Sequence, residues 1–169
     1  AAFWVVAGVI GKNPLTIFGM NNESLQGDSA IIDLLRNMGA FISVDDEKIV
    51  AMPSHLFGAE LDCMDTPDLV PILSVAAAVA QGTTTFINVG RLRFKESDRL
   101  AAMKSVLASF GITSFVGEDT FTVYGGEPVA LTPVESFGDH RIAMSAAILS
   151  TVAKEITTIN GSGCVAKSY

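Results

Sequence analysis

The sequence predicts an α/β domain of repeated βαβαββ units, with apolar helices packed at the centre and sheets outside. Three observations carry this. Segments 1–10, 67–80 and 140–153 each read as a helix that is apolar on every side, the pattern of a helix enclosed by the rest of the fold. Each leads into a strand-like run, at 15–19, 84–89 and 156–160. Leu35, Gly39, Ile87 and Asn88 reappear 72 positions later as Leu107, Gly111, Ile159 and Asn160. A period that long marks a copied supersecondary unit rather than a solenoid repeat.

The first segment begins Ala1-Ala2-Phe3-Trp4-Val5-Val6. It is too short to span a membrane and lacks the basic region of a signal peptide. Without a starting Met or a helix N-cap, it reads as a core helix whose beginning has been cut off, in a fragment of a longer protein. After the strand at 15–19 comes an amphipathic helix over 28–38. It ends at Gly39, which suits a position needing φ > 0. Strands at 40–44 and 47–51 flank the acidic turn Asp45-Asp46. The second unit opens with Thr66 as N-cap, Pro67 at the first helical position and Asp68 next, where an acid faces the positive end of the helix dipole. It continues through the strand at 84–89, a helix over 97–109 ending at Gly111, and strands at 112–116 and 120–124 about Glu118-Asp119. The third unit supplies the helix over 140–153 and the strand at 156–160.

With 169 residues, 49% hydrophobic and 17% charged, the chain forms one good-sized domain spanning 1–169 and is not disordered. A net charge of −7 argues against a nucleic-acid surface. Cys63 and Cys164 are too few for a disulfide framework or a Cys-rich zinc site, and read as free thiols in a reducing cytoplasm. His55 and His140 lack the spacing of a metal pair, so no metal is expected.

Because cations are scarce, local clusters of them carry weight. Lys95-Glu96-Ser97-Asp98-Arg99 stands at the predicted helix start, followed by the helical run Leu100 to Leu107. Two cations flanking two acids at a helix N-terminus suit an anionic substrate that needs proton transfer. The same pattern also suits a solvated, capped first turn. Ser136-Phe137-Gly138-Asp139-His140-Arg141 precedes the third apolar helix, where unpaired charge would be costly. A structural Asp–Arg pair and a ligand site both satisfy that constraint. If the three apolar helices run parallel, Asp68 and Arg141 share one rim, the 95–99 segment can join it, and the rim forms an anion pocket.

The residues 93–100, Arg-Phe-Lys-Glu-Ser-Asp-Arg-Leu, resemble one signature of the 5-enolpyruvylshikimate-3-phosphate synthase family (3-phosphoshikimate 1-carboxyvinyltransferases). Asp139-His140-Arg141-Ile142-Ala143-Met144 resembles a second block. Leu25-Gln26-Gly27-Asp28, Thr66-Pro67-Asp68 and Ala166-Lys167-Ser168-Tyr169 fit in order, so the resemblance covers essentially the whole chain. It implies an enolpyruvyl transferase-like domain, namely most of the C-terminal domain of a two-domain cytoplasmic enzyme of aromatic amino-acid biosynthesis. The implied enzyme is a monomer whose site lies between the domains, and its N-terminal domain is absent here. The implied reaction moves the carboxyvinyl group of phosphoenolpyruvate to the 5-hydroxyl of shikimate 3-phosphate through a tetrahedral ketal, without metal or organic cofactor.

By the same resemblance, Arg99 and Arg141 clamp the phosphoenolpyruvate carboxylate, and Lys167 contacts its phosphate and moves a proton. Glu96 is the acid that protonates the vinyl carbon and later the base. Asp68 accepts the hydroxyl proton, and Asp68 and Lys95 bind shikimate 3-phosphate. An adjacent cation works against proton delivery, so the side chains of Lys95 and Glu96 are expected to point apart, or substrate phosphate to draw Lys95 away. His140 reads as a structural neighbour. Asp139 reads either as orienting Arg141 or capping the helix, or as a ligand contact, and Asp98 as a cap. At position 91, where some family members carry an asparagine that touches the acceptor, this chain has Arg91, which the resemblance leaves without a role. The related transferase acting on UDP-N-acetylglucosamine, and a non-catalytic ligand-binding domain, are the competing readings. The isolated chain, lacking one wall of the cleft, is expected to be inactive.

Overall fold

The computed structural model describes residues 1–19, 25–45 and 47–167, without the side chains of residues 25–29 and Lys167. The chain runs α1 (Ala2–Ile10), β1 (Leu15–Phe18), α2 (Leu25–Asn37), β2 (Phe41–Val44), β3 (Lys48–Met52), β4 (Glu60–Asp62), α3 (Val70–Val79), β5 (Thr83–Ile87), α4 (Arg99–Ser109), β6 (Ser114–Val116), β7 (Thr120–Tyr124), β8 (Val134–Glu135), α5 (His140–Ser150) and β9 (Ile159–Asn160). Short 3₁₀ turns occupy Pro67–Leu69, Gly90–Phe94 and Ser162–Lys167.

α1, α3 and α5 pack on one another at the centre. α3 is buried from Val70 to Ala78, and its one hydroxyl, Ser74 Oγ, is satisfied by donating to the Val70 carbonyl at 2.7 Å. α1 and α5 differ from the sequence expectation. Each keeps an open apolar strip, with Trp4 53% exposed, and Phe3, Trp4, Met144, Ala147 and Ile148 line a groove between the two helices. The other seams are filled: α2 packs on α1 and α3, and α4 on α3 and α5.

The sheets lie outside. One has the order β1-β3-β2 and is antiparallel, the second is β4-β5-β7-β6, and the third pairs β8 with β9. β4 runs parallel to β5 and β8 parallel to β9, so a strand precedes each of α3 and α5 and pairs with the strand after it. These first strands, three and two residues long, are too short to show an alternating pattern in sequence. β4 completes the βαβαββ order in the second unit.

The 72-residue recurrences have a structural cause. Gly39 and Gly111 take φ of +95° and +72°, as their helix-end position predicts. Behind them the Ala40 and Ile112 N–H groups donate to the Leu35 and Leu107 carbonyls, at 3.0 and 2.9 Å. Asn88 Nδ2 donates to Asp62 Oδ1 at 2.8 Å, across the β4–β5 pair. Asn160 Nδ2 donates to Glu135 Oε1 at 2.5 Å, across β8–β9. The repeated residues are thus those that close helices and tie parallel strands.

Several predicted boundaries shift. The helix predicted over 97–109 begins at Arg99, because the Asp98 carboxylate accepts from Ala101 N–H at 3.0 Å and fixes the N-cap there. Lys95, Glu96 and Ser97 therefore sit in the preceding turn, not inside the helix. Thr66 holds an N-cap position, but its hydroxyl caps nothing; its carbonyl receives the Leu69 N–H instead, at 3.0 Å. The helix predicted over 140–153 ends at Ser150, and the strand predicted over 156–160 keeps only Ile159–Asn160. Leu25 to Asp28, apart from their backbone in α2, and Ser168-Tyr169 lie outside the described residues. No helix among the described residues is long and apolar enough to cross a membrane.

Candidate active site

The approaches to α3, α4 and α5 converge on one cluster. At its centre is the Arg99 guanidinium, only 3% exposed. Its Nε donates to Asp139 Oδ2 at 2.8 Å, Nη1 to Asp68 Oδ1 at 2.9 Å, and Nη2 to Glu96 Oε2 at 2.8 Å and Asp139 Oδ1 at 3.4 Å. The first residue of α4 thereby ties α3's approach, its own preceding turn and the start of α5 into one network. Burial lowers the Arg99 pKa, but hydrogen bonding and charge from Asp139, then Asp68 and Glu96, reverse this and leave it raised.

Asp139 is fully buried and forms the N-cap of α5. It accepts the Arg141 N–H at 2.9 Å and the Ser97 hydroxyl at 3.1 Å, besides Arg99. Burial pushes its carboxyl up, but the Arg99 partnership outweighs this and leaves it below the ordinary 3.8. Of the two readings the sequence left open, the capping role is what the geometry contains. The guanidinium that Asp139 orients is Arg99's, not Arg141's.

Asp68 faces outward from this network. Its carboxylate lies 3.3 Å from Lys95 Nζ, 2.9 Å from Arg99 Nη1 and 3.5 Å from Arg141 Nη2. Arg141 Nη1 also donates to the Asp68 carbonyl at 3.1 Å. Burial raises the Asp68 pKa, yet Arg141, Lys95 and Arg99 together hold it below the ordinary 3.8. Asp68 is therefore ionised across the physiological range, the state a proton acceptor requires.

Glu96 turns away from Lys95. Its Oε2 meets Arg99, and His140 Nδ1 lies 3.3 Å from the same oxygen. Lys95 goes to Asp68 instead, so the adjacent pair points apart. Glu96, Asp139 and His140 carry ligand-type atoms within 4.8 Å of one another. A cation already fills that space, however, since Arg99 donates to both acids.

A cavity of about 450 Å³ opens beside the cluster, lined by Asp65, Thr66, Pro67, Asp68, Leu69, Arg91, Lys95 and Arg141. The structure thus brings together Asp68, Lys95, Glu96, Arg99 and Arg141. Of these, Asp68, Lys95 and Arg141 line the cavity wall, while Arg99 is enclosed behind them. Lys167 ends the Ser162–Lys167 turn, which packs on α5, and its side chain lies outside the described residues. It stands 72 positions after Lys95, and each lysine lies at or just past the end of the 3₁₀ turn that follows the unit's second strand. Sequence reasoning gave Arg91 no role, and the structure places it in the cavity wall. Cys63 takes no part: it is buried, and burial, with nearby Asp62, pushes its thiol up to about 12.

Repeated βαβαββ units around central apolar helices, with charged helix starts converging on a cavity, define the enolpyruvyl transferase class of fold. A 2.37 Å structure of EPSP synthase from Acinetobacter baumannii superposes with a TM-score of 0.84 at 28% identity, over 99% of this chain and 42% of that one. The enolpyruvyl transferase NikO from Streptomyces tendae shares the fold, with a TM-score of 0.81 at 23% identity over 99% of this chain and 39% of that one. The EPSP synthase family (3-phosphoshikimate 1-carboxyvinyltransferase) matches over residues 1–169, and the chain belongs to that family. It is 45% identical over 169 residues to the 3-phosphoshikimate 1-carboxyvinyltransferase of Clostridium acetobutylicum, covering 100% of this chain and 39% of the relative. It is 38% identical over 170 residues to that of Methanopyrus kandleri, covering 100% of this chain and 39% of the relative. The chain thus spans about two-fifths of the length of these relatives.

Proposed function

We propose that this chain supplies most of the C-terminal domain of a two-domain 3-phosphoshikimate 1-carboxyvinyltransferase. The observation that carries the reading is the Asp68 carboxylate, held ionised among Lys95, Arg99 and Arg141 at the wall of an open cavity. The two substrates are anions, and the reaction needs a base on a hydroxyl and an acid on carbon. This wall supplies cations and the Asp68 carboxylate, and the adjoining cluster supplies a second, differently placed carboxylate, Glu96.

In this reading Asp68 takes the proton of the acceptor's 5-hydroxyl while its oxygen bonds to C2 of phosphoenolpyruvate. Glu96 delivers a proton to C3, giving the tetrahedral ketal. Loss of phosphate from C2, which departs with the hydroxyl proton passed on from Asp68, and return of a C3 proton to Glu96 restore the double bond and both carboxyl groups' starting states. No electrons are gained or lost, so the sequence of steps needs no redox cofactor. Arg141 and Arg99 clamp the donor carboxylate. Since Arg99 already holds three carboxylates, it keeps buried Asp139 and exchanges a contact with Asp68 or Glu96 for that of the ligand. Lys95 contacts shikimate 3-phosphate and Lys167 the donor phosphate.

The open seam between α5 and α1 supports the reading of a partial domain. In the other two seams an amphipathic helix covers the central pair, whereas among the described residues nothing covers this one. The missing N-terminal domain forms the opposite wall of the cleft, so the isolated chain is inactive. The complete enzyme works as a monomer in the cytoplasm, where free Cys63 and Cys164 stay reduced.

Phosphate release by the complete protein from phosphoenolpyruvate tests the reading. Release that requires shikimate 3-phosphate is the expected result. Release that requires UDP-N-acetylglucosamine instead, or no release with either acceptor, overturns it.

A further inference from the structure

We propose that Ser97 is a positioning residue of this site, its hydroxyl bond to Asp139 keeping Glu96 in reach of the reacting carbon while the substrates are bound; the inference rests on the function proposed above. Ser97 lies in the short link between the 3₁₀ turn that ends at Phe94 and the start of α4 at Arg99. The same link carries Lys95 and Glu96. Among the described residues the backbone of Lys95, Glu96 and Ser97 makes no hydrogen bond. The link is therefore held by its side chains. A serine at a helix start usually spends its hydroxyl on the local backbone. Here Asp98 takes that role by accepting the Ala101 N–H, and the Ser97 hydroxyl is left to reach another element.

The three side chains of the link have different anchors. Lys95 Nζ lies 3.3 Å from Asp68 Oδ1. Glu96 Oε2 meets Arg99 Nη2 at 2.8 Å and lies 3.3 Å from His140 Nδ1. Ser97 Oγ donates to Asp139 Oδ2 at 3.1 Å. The first two anchors are made with groups that the reaction claims. The acceptor's phosphate competes with Asp68 for Lys95, and the donor's carboxylate competes with Glu96 for Arg99. The contact with His140 changes whenever Glu96 gains or loses its proton.

The third anchor is independent of the substrates. Asp139 is fully buried, and neither it nor Ser97 lines the cavity. Asp139 itself is fixed by Arg99 Nε and by the Arg141 N–H at the start of α5. When both anions are in place, the Ser97–Asp139 bond still ties the link to α5, at the stage when Glu96 must deliver its proton. In the free protein all three anchors hold the link together, so the bond matters less to the fold than to the loaded site.

The test compares Ser97→Ala and Ser97→Thr in the complete protein by steady-state kinetics, by hydrogen exchange at the vinyl carbon of phosphoenolpyruvate, and by thermal melting. Loss of a hydrogen bond to a charged group predicts that Ser97→Ala lowers kcat and the exchange rate together, by at least about tenfold. The KM for phosphoenolpyruvate stays within about threefold, because the cations that bind it are untouched. Melting of the ligand-free variant falls by under about 3 °C, since Asp139 keeps its other donors. Ser97→Thr keeps the hydroxyl and recovers most of the loss in kcat. A smaller loss of kcat in Ser97→Ala, a rise in KM in its place, a larger fall in melting temperature, or a Ser97→Thr enzyme as slow as Ser97→Ala overturns the inference while leaving the proposed function standing. A wild-type protein without carboxyvinyl transfer overturns both.

Discussion

Replacing Asp139 by Asn tests whether the Arg99 network organises this end of the domain. Asn is nearly isosteric and caps a helix as well as Asp does, so the bond from the Arg141 N–H is retained. What changes is the partner of Arg99. Asp139 is fully buried and accepts from Arg99 Nε, Arg99 Nη2, the Ser97 hydroxyl and the Arg141 N–H. In the variant the amide N–H₂ occupies the place of Oδ2, so two donors face each other where Nε now finds a carboxylate at 2.8 Å. Breaking a buried ion pair by removing one partner costs roughly 3–5 kcal/mol. The low end, about 3 kcal/mol, applies here because Arg99 keeps Asp68 and Glu96. For a chain of this size that corresponds to a melting temperature lower by about 6–12 °C. Urea and thermal unfolding of the 169-residue chain measure it, with Asp98→Asn as control, since Asn at that exposed cap is expected to cost under about 0.5 kcal/mol. The pH dependence has a definite direction. The Asp139 carboxyl lies below its ordinary 3.8 in the folded state, so its contribution is fully present above about 3.8 and fades as pH falls from there toward the lowered folded value. In Asp139→Asn that acid-sensitive part disappears. A destabilisation under about 1 kcal/mol, with the acid limb unchanged, would refute the reasoning.

Two further outcomes follow from the same geometry. In the complete protein, Glu96→Gln should slow both turnover and hydrogen exchange at the vinyl carbon of phosphoenolpyruvate, by about 10²–10⁴-fold; near-normal rates would leave Glu96 as only a partner of Arg99 and His140. Trp4, the single tryptophan of the chain, should be readily quenched by acrylamide in the 169-residue chain. It should be shielded in the complete protein, read as the difference from its Trp4→Phe variant, and equal quenching in both would mean that the α1–α5 seam stays open.

The parts of the fold legible in the sequence were those with a strong local signature. Three apolar helices announce burial by lacking a polar face, and the helix-end glycines announce positive φ. The two-residue β8 and three-residue β4 carry no pattern, because pairing with β9 and β5 across α5 and α3 defines them, not any run of their own. The open strips on α1 and α5 were equally invisible: an apolar helix reads the same whether its last face is covered by this chain or by something else. At the site, residue types and chain order brought Asp68, Lys95, Glu96, Arg99 and Arg141 into one list. Sequence could not tell which cations face the cavity. Arg99 and Arg141 look alike in sequence, yet Arg99 is enclosed by three carboxylates and Arg141 lines the wall. Arg91 was left without a role because it stands where some members of the family carry asparagine. Only the fold shows that Arg93 is spent on backbone carbonyls while Arg91 is not.

The central claim, that Asp68 is the base for the acceptor hydroxyl, is tested most directly by Asp68→Asn in the complete protein. Turnover and phosphoenolpyruvate binding should be measured side by side. The account predicts that phosphate release with shikimate 3-phosphate falls by at least about 10²-fold. Binding of phosphoenolpyruvate survives, because Arg141, Arg99 and Lys167 remain. Turnover within about threefold of wild type would contradict it, leaving Asp68 as no more than the counter-charge of three cations.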